Sequence, residues 1–397
     1  MIAILLLIIE IFILAYLAFN VVYVAVFSFG GILYKSTNFK TITISKHQRF
    51  AILIPTYKHD DVVLNTVGHC LNQNYPQDKF EVIVIADSLE RLTLAELKVM
   101  PIRLIEVSFE VSTKANSINT ALSQLTLENY DYCLVLDVDN IMEKNFLSKI
   151  NARLQEDQMV IQGHRTAKNL DTPFSILDGI SEEINNHIFR KGHVALGVTS
   201  ALSGSGQAMR IHEFKTAMSG IHSAVEDKDL EYYLLRNKFK VLYENDALVF
   251  DEKVQNSKVF TSQRKRWISS QFHEMNKVLG EGLKDLVFKG KFDFFDKGLQ
   301  RIILPRVLLL GFSFFCALLF FIPFIQLGKY FLTLFIINCL SYIVAIPSSY
   351  FNVNTLKAAL RLPLAFFLMF FAMVKSKGNS KKFVQTEHTA TVKNPNA

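Results

Sequence analysis

The sequence has a single tryptophan, Trp267, and only four cysteines in 397 residues. Cys70, Cys133, Cys316 and Cys339 show no paired spacing, which excludes a disulfide framework. Two of them lie in apolar runs, and the pair left to the polar part of the chain suits a reducing cytosolic face. No basic stretch precedes the apolar start, and the run from Met1 to Phe29 continues past signal-peptide length with Glu10 and Asn20 as its strongly polar interruptions. It reads as an uncleaved membrane helix, with Glu10 facing a partner helix or water. No nucleic-acid module is evident. The net charge of +7 comes from cations in the middle of the chain and near segment ends, where anionic lipid headgroups or anionic substrates both account for them.

What the chain has in excess is apolar surface: half its residues are hydrophobic and its mean hydropathy is positive, high values for a soluble protein. The apolar residues gather at the start and again from about Ile302 to Val374. The expected organisation is a transmembrane helix over 1–29, a linker over 30–49, a soluble domain over 50–267 and amphipathic interfacial helices over 268–301. A membrane region of two or three spans then covers 302–374, followed by a polar tail over 375–397. The C-terminal apolar runs are about Ile302 to Ile325, Tyr330 to Tyr350 and Leu356 to Val374. Three spans would put Lys375, Lys377, Lys381 and Lys382 outside, against the positive-inside tendency. The segment from Leu356, which carries Lys357 and Arg361, is therefore the one expected to lie in the interface. The location expected is a multi-pass membrane protein, a bacterial inner membrane before others, with the soluble domain cytoplasmic.

Within the middle, FAILIPTY reads as a buried strand ended by a turn, followed by a helix from about Val62 to Asn72. FEVIVIADS and RLIEVSF read as two more strands, TKANSINTAL as a helix opened by Ser112, and YDYCLVLDVDN as a further buried strand. Repeated β-α-β units imply an α/β fold with a parallel sheet covered on both faces, whose ligands sit beyond the carboxyl ends of the strands. Asp87, Asp137 and Asp139 stand at such ends.

Asp137 and Asp139 flank one residue in DVD, so both carboxylates can approach one hard divalent cation, Mg²⁺ or Mn²⁺, that also takes phosphate oxygens. A solvated turn explains the same pair. Four stretches in order, ILIPTY with QNYP, VIVIADS, KANSINTAL and VLDVDN, followed by LSGSGQAMR, AVEDKDLEYYLL and QRKRW, resemble the membrane-integrated family-2 glycosyltransferases, the group of cellulose, chitin and hyaluronan synthases and ceramide glucosyltransferase. The resemblance runs from about Phe50 to Trp267. It implies a GT-A (Rossmann-like) glycosyltransferase domain flanked by transmembrane helices, and a hexosyltransferase that uses a nucleotide diphosphate sugar, usually UDP-linked and usually with inversion. The family usually has Asn-Glu after the position of Tyr57, where this chain has Lys58-His59, so base or sugar preference is open there. His59 receives no role.

By that resemblance Asp227, with Glu226, is the catalytic pair, Asp227 being the base that deprotonates the acceptor hydroxyl. Helix capping accounts for both carboxylates equally well at the residue level. Pro55, Tyr57, Asp87, Lys114, Asp137, Gln263 and Arg266 are expected on the donor. Asp87 would accept the uracil N–H, and Lys114, Gln263 and Arg266 would meet the diphosphate. Gly204, Ser205, Gly206 and Trp267 are expected on the acceptor side, the glycines by permitting close backbone approach and Trp267 by offering a ring face to a sugar. A plain flexible loop and a basic interfacial helix are the competing accounts of LSGSGQAMR and QRKRW. Arg264 and Lys265 are expected at phosphate or headgroups. The implied partners are a nucleotide-sugar donor, a lipid or glycan acceptor and a membrane. A processive polysaccharide synthase is the alternative within the enzyme class, and an inactive nucleotide-sugar-binding membrane protein the alternative outside it.

Overall fold

The computed structural model describes residues 2–37, 39, 42, 44–154, 159–223, 225–255, 261, 264, 278–322 and 325–374. In chain order, α1 (Ile2–Ile32) is followed by β1 (Phe50–Tyr57), α2 (Asp60–Leu71), β2 (Phe80–Asp87), α3 (Arg91–Lys98), β3 (Arg103–Val107), α4 (Lys114–Gln124) and β4 (Tyr132–Val135). Next come β5 (Ile141–Met142), α5 (Phe146–Leu154), β6 (Val160–Ala167), α6 (Pro173–Asn185), α7 (His193–Ala195), β7 (Gln207–Arg210), α8 (Ile211–Met218), α9 (Glu226–Arg236) and β8 (Val241–Asp251). The chain divides into two compact units. One holds Lys35–Asn169 and Thr199–Glu252, the other Met1–Tyr34, Leu170–Val198 and Lys253–Ser380.

The first unit is built on an eight-stranded sheet in the order β3-β2-β1-β4-β7-β6-β8-β5. Its first four strands are parallel, as the β-α-β reading requires. The remainder is not: β7 runs antiparallel to both β4 and β6, β8 is parallel to β6, and β5 is antiparallel to β8. The expectation of a wholly parallel sheet is thus corrected to a mixed one. The helical segment between β6 and β7, Leu170–Val198, belongs to the other unit and so supplies no crossover on this sheet, and parallel neighbours need such a crossover. Alternation along the central strands feeds two cores. Ala51, Leu53, Ile83 and Ile85 face α4 through Ala115, Ile118 and Leu122, and α9 through Leu230 and Leu234. Phe50, Ile52, Ile54, Val82 and Val84 face α2 through Val63 and Val67, and α5 through Phe146 and Ile150. This is why the strands read as continuous apolar runs: both faces are buried.

In the second unit, Leu17, Val21 and Val24 of α1 pack with Ile176, Ile180 and Ile184 of α6 and with Leu309 and Phe331. Glu10 accepts a hydrogen bond from Leu327 N at 3.2 Å, and Asn20 from Leu304 N at 2.8 Å, so both polar interruptions of α1 serve neighbouring backbone. Among the described residues, two helices are long and apolar enough to cross a membrane, Ile4–Ile32 and Gly328–Ala345. Two further pairs qualify only if each bent pair counts as one span: Phe292–Ile302 with Arg306–Phe321, bent by 60°, and Val353–Ala359 with Leu362–Val374, bent by 45°. In the first pair the break falls at residues 303–305, where the apolar run from Ile302 begins. Pro305 supplies the reason, since it bars helical backbone at the residue before it.

Candidate active site

β1 and β2 are paired in register up to Tyr57 opposite Asp87, so both strands end at one level. Beyond those ends lies a cleft of about 750 Å³, counted with its opening to solvent. Pro55, Tyr57 and His59 line it from the first strand and its turn, Asp87 from the second, Lys114 and Ser117 from α4, and Asp137 and Asp139 from the segment after β4.

Asp87 is fully buried. One carboxylate oxygen accepts from the Ser88 hydroxyl at 2.9 Å, whereas Oδ2 is buried with no hydrogen-bond partner among the described residues. A buried carboxylate oxygen left in this way carries a desolvation cost that a donor group on a ligand would remove. The backbone around it is strained: Lys58 and Ser88 both hold left-handed conformations, at φ 54° and 59°, and the Lys58 N–H donates to the Asp87 carbonyl at 3.2 Å.

Thr113, not Ser112, caps α4, its hydroxyl accepting from Asn116 N at 3.1 Å. That start places Lys114 at the first helical position. Its ammonium donates to Asp137 Oδ1 at 2.5 Å and to the Gly204 carbonyl at 2.8 Å, and lies 3.3 Å from Glu226 Oε1. One ammonium has three protons, and here three chain segments take them. Burial works against the Lys114 charge, but the carboxylates of Asp137, Glu226 and Asp227 outweigh it and raise its pKa. Burial pushes Glu226 up to about 7, with Asp227 and Asp137 adding to the rise and Lys114 opposing it.

Glu226 and Asp227 occupy the first turn of α9, where negative charge is favoured, but neither is its N-cap; that position is Val225. Asp227 accepts from Lys228 N at 2.9 Å. Its side chain is 27% exposed against 14% for Glu226, so Asp227 is the more open of the two to a substrate.

The glycine-containing loop is pinned rather than loose. The buried Ser205 hydroxyl accepts from Asp137 N at 3.0 Å and donates to Asn140 Oδ1 at 3.3 Å. Gly206 N donates to Val135 O at 2.8 Å. Gly204 and Gly206 take φ of 73° and 67°. A Cβ on Gly204 would lie 3.4 Å from the Asp227 Cβ, and one on Gly206 only 2.8 Å from Val249 Cγ2.

Of the residues singled out from sequence, Pro55, Tyr57, Asp87, Lys114, Asp137 and Asp139 meet in the cleft, and Glu226, Gly204 and Ser205 join them through Lys114 and Asp137. Gln263, Arg266 and Trp267 lie outside the described residues. Arg264, expected at phosphate or headgroups, is instead buried and pairs with Asp178 of α6, whose other oxygen accepts from Val254 N at 3.3 Å. A buried guanidinium requires such a partner. Sequence reasoning passed over His59, which lines the cleft, and Asn140, which is fully buried and donates to Asp251 Oδ1 at 2.9 Å. Adjacency to ILIPTY and DVD was the available signal for each.

Residues 47–270 match the family Glycosyltransferase like family 2, more than half of the chain, so this protein belongs to that family and is an enzyme of the hexosyltransferase class. Among solved structures it is similar to the mannosyltransferase PcManGT from Pyrobaculum calidifontis in complex with GDP-Man and Mn²⁺, at 13% identity and a TM-score of 0.51, over 84% of this chain and 98% of that one. Residues 1–349 of TarS from S. aureus align over 83% of this chain and 90% of that one, at 15% identity and a TM-score of 0.40. Their complex with UDP-GlcNAc aligns at 16% identity and a TM-score of 0.43. The likeness to the mannosyltransferase shows a mixed α/β, GT-A-like fold. No curated protein matches the sequence.

Proposed function

We propose that this protein transfers a sugar, with inversion, from a UDP-sugar to a lipid or glycan acceptor at a membrane. The observation that carries the reading is the convergence on Lys114: its ammonium ties the DVD turn, the ED helix and the glycine loop together beside a cleft that contains an unpartnered Asp87 oxygen. Asp87 Oδ2 is suited to accept the N–H of a uracil ring. Asp137 and Asp139 both line the cleft, and no group of three or more His, Cys, Asp or Glu gathers among the described residues. Two carboxylates fit a Mg²⁺ or Mn²⁺ that completes its shell with diphosphate oxygens and water. When bound, such an ion would neutralise charge on the leaving diphosphate. Asp227, the more open carboxylate, takes the acceptor proton, and Glu226 beside it, paired to Lys114, steadies the first turn of α9. Gln263 and Arg266 on the diphosphate and Trp267 under the acceptor ring are assigned by the family resemblance. Two candidate spans, or up to four with the bent pairs, favour a lipid or short lipid-linked glycan over a secreted polymer.

The test uses purified protein in lipid with Mn²⁺ or Mg²⁺, lipid extract as acceptor, and UDP-glucose, UDP-N-acetylglucosamine, UDP-galactose and GDP-mannose in turn. Nucleoside diphosphate release with a UDP-linked donor, lost on chelation and in Asp137→Ala, is expected. Asp227→Asn should lower transfer by at least about 10²-fold, the scale of general-base catalysis, while UDP binding persists. Full transfer in that variant removes the base assignment, and no release with any donor removes the enzymatic reading of the site.

A further inference from the structure

Gln162, in β6, belongs to none of the motifs, yet it is fully buried and both ends of its amide reach one short loop. Its Oε1 accepts from Ser203 N at 2.9 Å, and its Nε2 donates to the Ser205 carbonyl at 2.9 Å and to the Gly163 carbonyl at 3.0 Å, with the Gly206 carbonyl at 3.4 Å. The side chain is thus a splint across residues 203–206. A planar amide suits this role because donor and acceptor are held at a fixed separation, and no other uncharged side chain of that length offers both.

The loop so held is coupled to both sides of the site. The Gly204 carbonyl receives Lys114 Nζ, the ammonium that also meets Asp137 and Glu226. The Ser205 hydroxyl receives the Asp137 N–H, and its own proton goes to Asn140. At the loop's entrance, Leu202 N donates to Glu231 Oε1 of α9 at 3.0 Å, one turn along from Asp227. A displacement of this loop would therefore be passed to the DVD turn on one side and to the ED helix on the other.

We infer that Gln162 is a positioning residue for sugar transfer: it holds the 203–206 loop so that Lys114 and the Asp137 backbone keep their geometry toward the proposed base Asp227. The inference rests on the functional reading above. It predicts a loss in turnover that exceeds the loss in nucleotide affinity, because Lys114 and Asp137 depend on this loop while Asp87 and the β1 end of the cleft do not.

The experiment compares wild type, Q162M, Q162E and D227N in lipid, with the donor that gives the highest nucleoside diphosphate release and lipid extract as acceptor. Q162M should lower kcat at least tenfold, with a smaller fold-loss in UDP affinity by calorimetry. Q162E keeps the oxygen that accepts from Ser203 and lacks the NH₂ group. Only when protonated can its carboxyl donate to the Ser205 carbonyl. The ratio of Q162E to wild-type activity should therefore rise as pH falls, at temperatures where both remain folded by circular dichroism. Wild-type kcat in Q162M would overturn the inference, as would a pH-independent Q162E ratio. Full transfer in D227N would instead overturn the reading of Asp227 as base, so the two failures are separable.

Discussion

Glu226 and Asp227 are neighbours with the same charge, and they meet different surroundings. Glu226 is enclosed against Lys114 and pushed up to about 7, while Asp227 keeps a partly open carboxylate. The folded Glu226 therefore holds a proton that the unfolded chain, with an ordinary value of 4.5, has already released. Between those values stability falls as pH rises. Glu226→Gln removes that dependence, so its melting temperature relative to wild type should climb from pH 5 to pH 8. A difference that stays constant across the range would contradict the enclosed environment. At this scale the sequence was partly legible. Carboxylates at strand ends and helix starts announce themselves by position, as Asp87, Asp137 and Asp227 do. Gln162 and Asn140 do not, because what matters is which backbone groups their amides reach, and those groups are distant in sequence.

Among the elements, the loop at 203–206 shows how local geometry follows from residue type. Gly206 holds a left-handed φ and has Val249 where a Cβ would go. Gly206→Ala should cost about 1–3 kcal/mol from backbone strain and overpacking together. Gly220→Ala, with nothing within 4 Å of the added carbon, should change stability by less than about 0.5 kcal/mol. Urea unfolding of the two variants side by side tests the contrast, and equal effects would mean the loop has room to adjust. Helix and strand identities in this unit were readable because periodicity reports burial directly: continuous apolar runs for strands covered on both faces, and three-to-four spacing for α4. The direction of β7 was not readable, since four residues of strand carry no mark of parallel or antiparallel pairing. Apolar content also concealed the bend near Pro305, which hydropathy averages over.

For the molecule as a whole, two features coexist in one chain: a sheet-based unit that holds the cleft, and a helical unit rich in exposed apolar side chains. In α1 alone, Ile4, Phe12 and Ile32 are 65%, 72% and 62% exposed. In water such a surface is unfavourable by roughly 25 cal/mol for each Å² left uncovered, so a lipid environment is the expected one. Full-length protein should remain in the membrane pellet after alkaline carbonate extraction. Recovery in the soluble fraction would contradict α1 and Gly328–Ala345 as spans.

The sequence by itself determined the α/β alternation, the ends at which carboxylates gather, the order of the glycosyltransferase motifs and the apolar helices, because each depends on residue type and short-range spacing. Tertiary structure alone decided the mixed direction of the sheet, the joining of Asp137, Gly204 and Glu226 on one lysine, the burial of Arg264 against Asp178 and the splint made by Gln162. These are contacts between segments tens of residues apart. Their partners are selected by where buried polar groups must find hydrogen bonds once the chain has closed around them, and that requirement has no local signature.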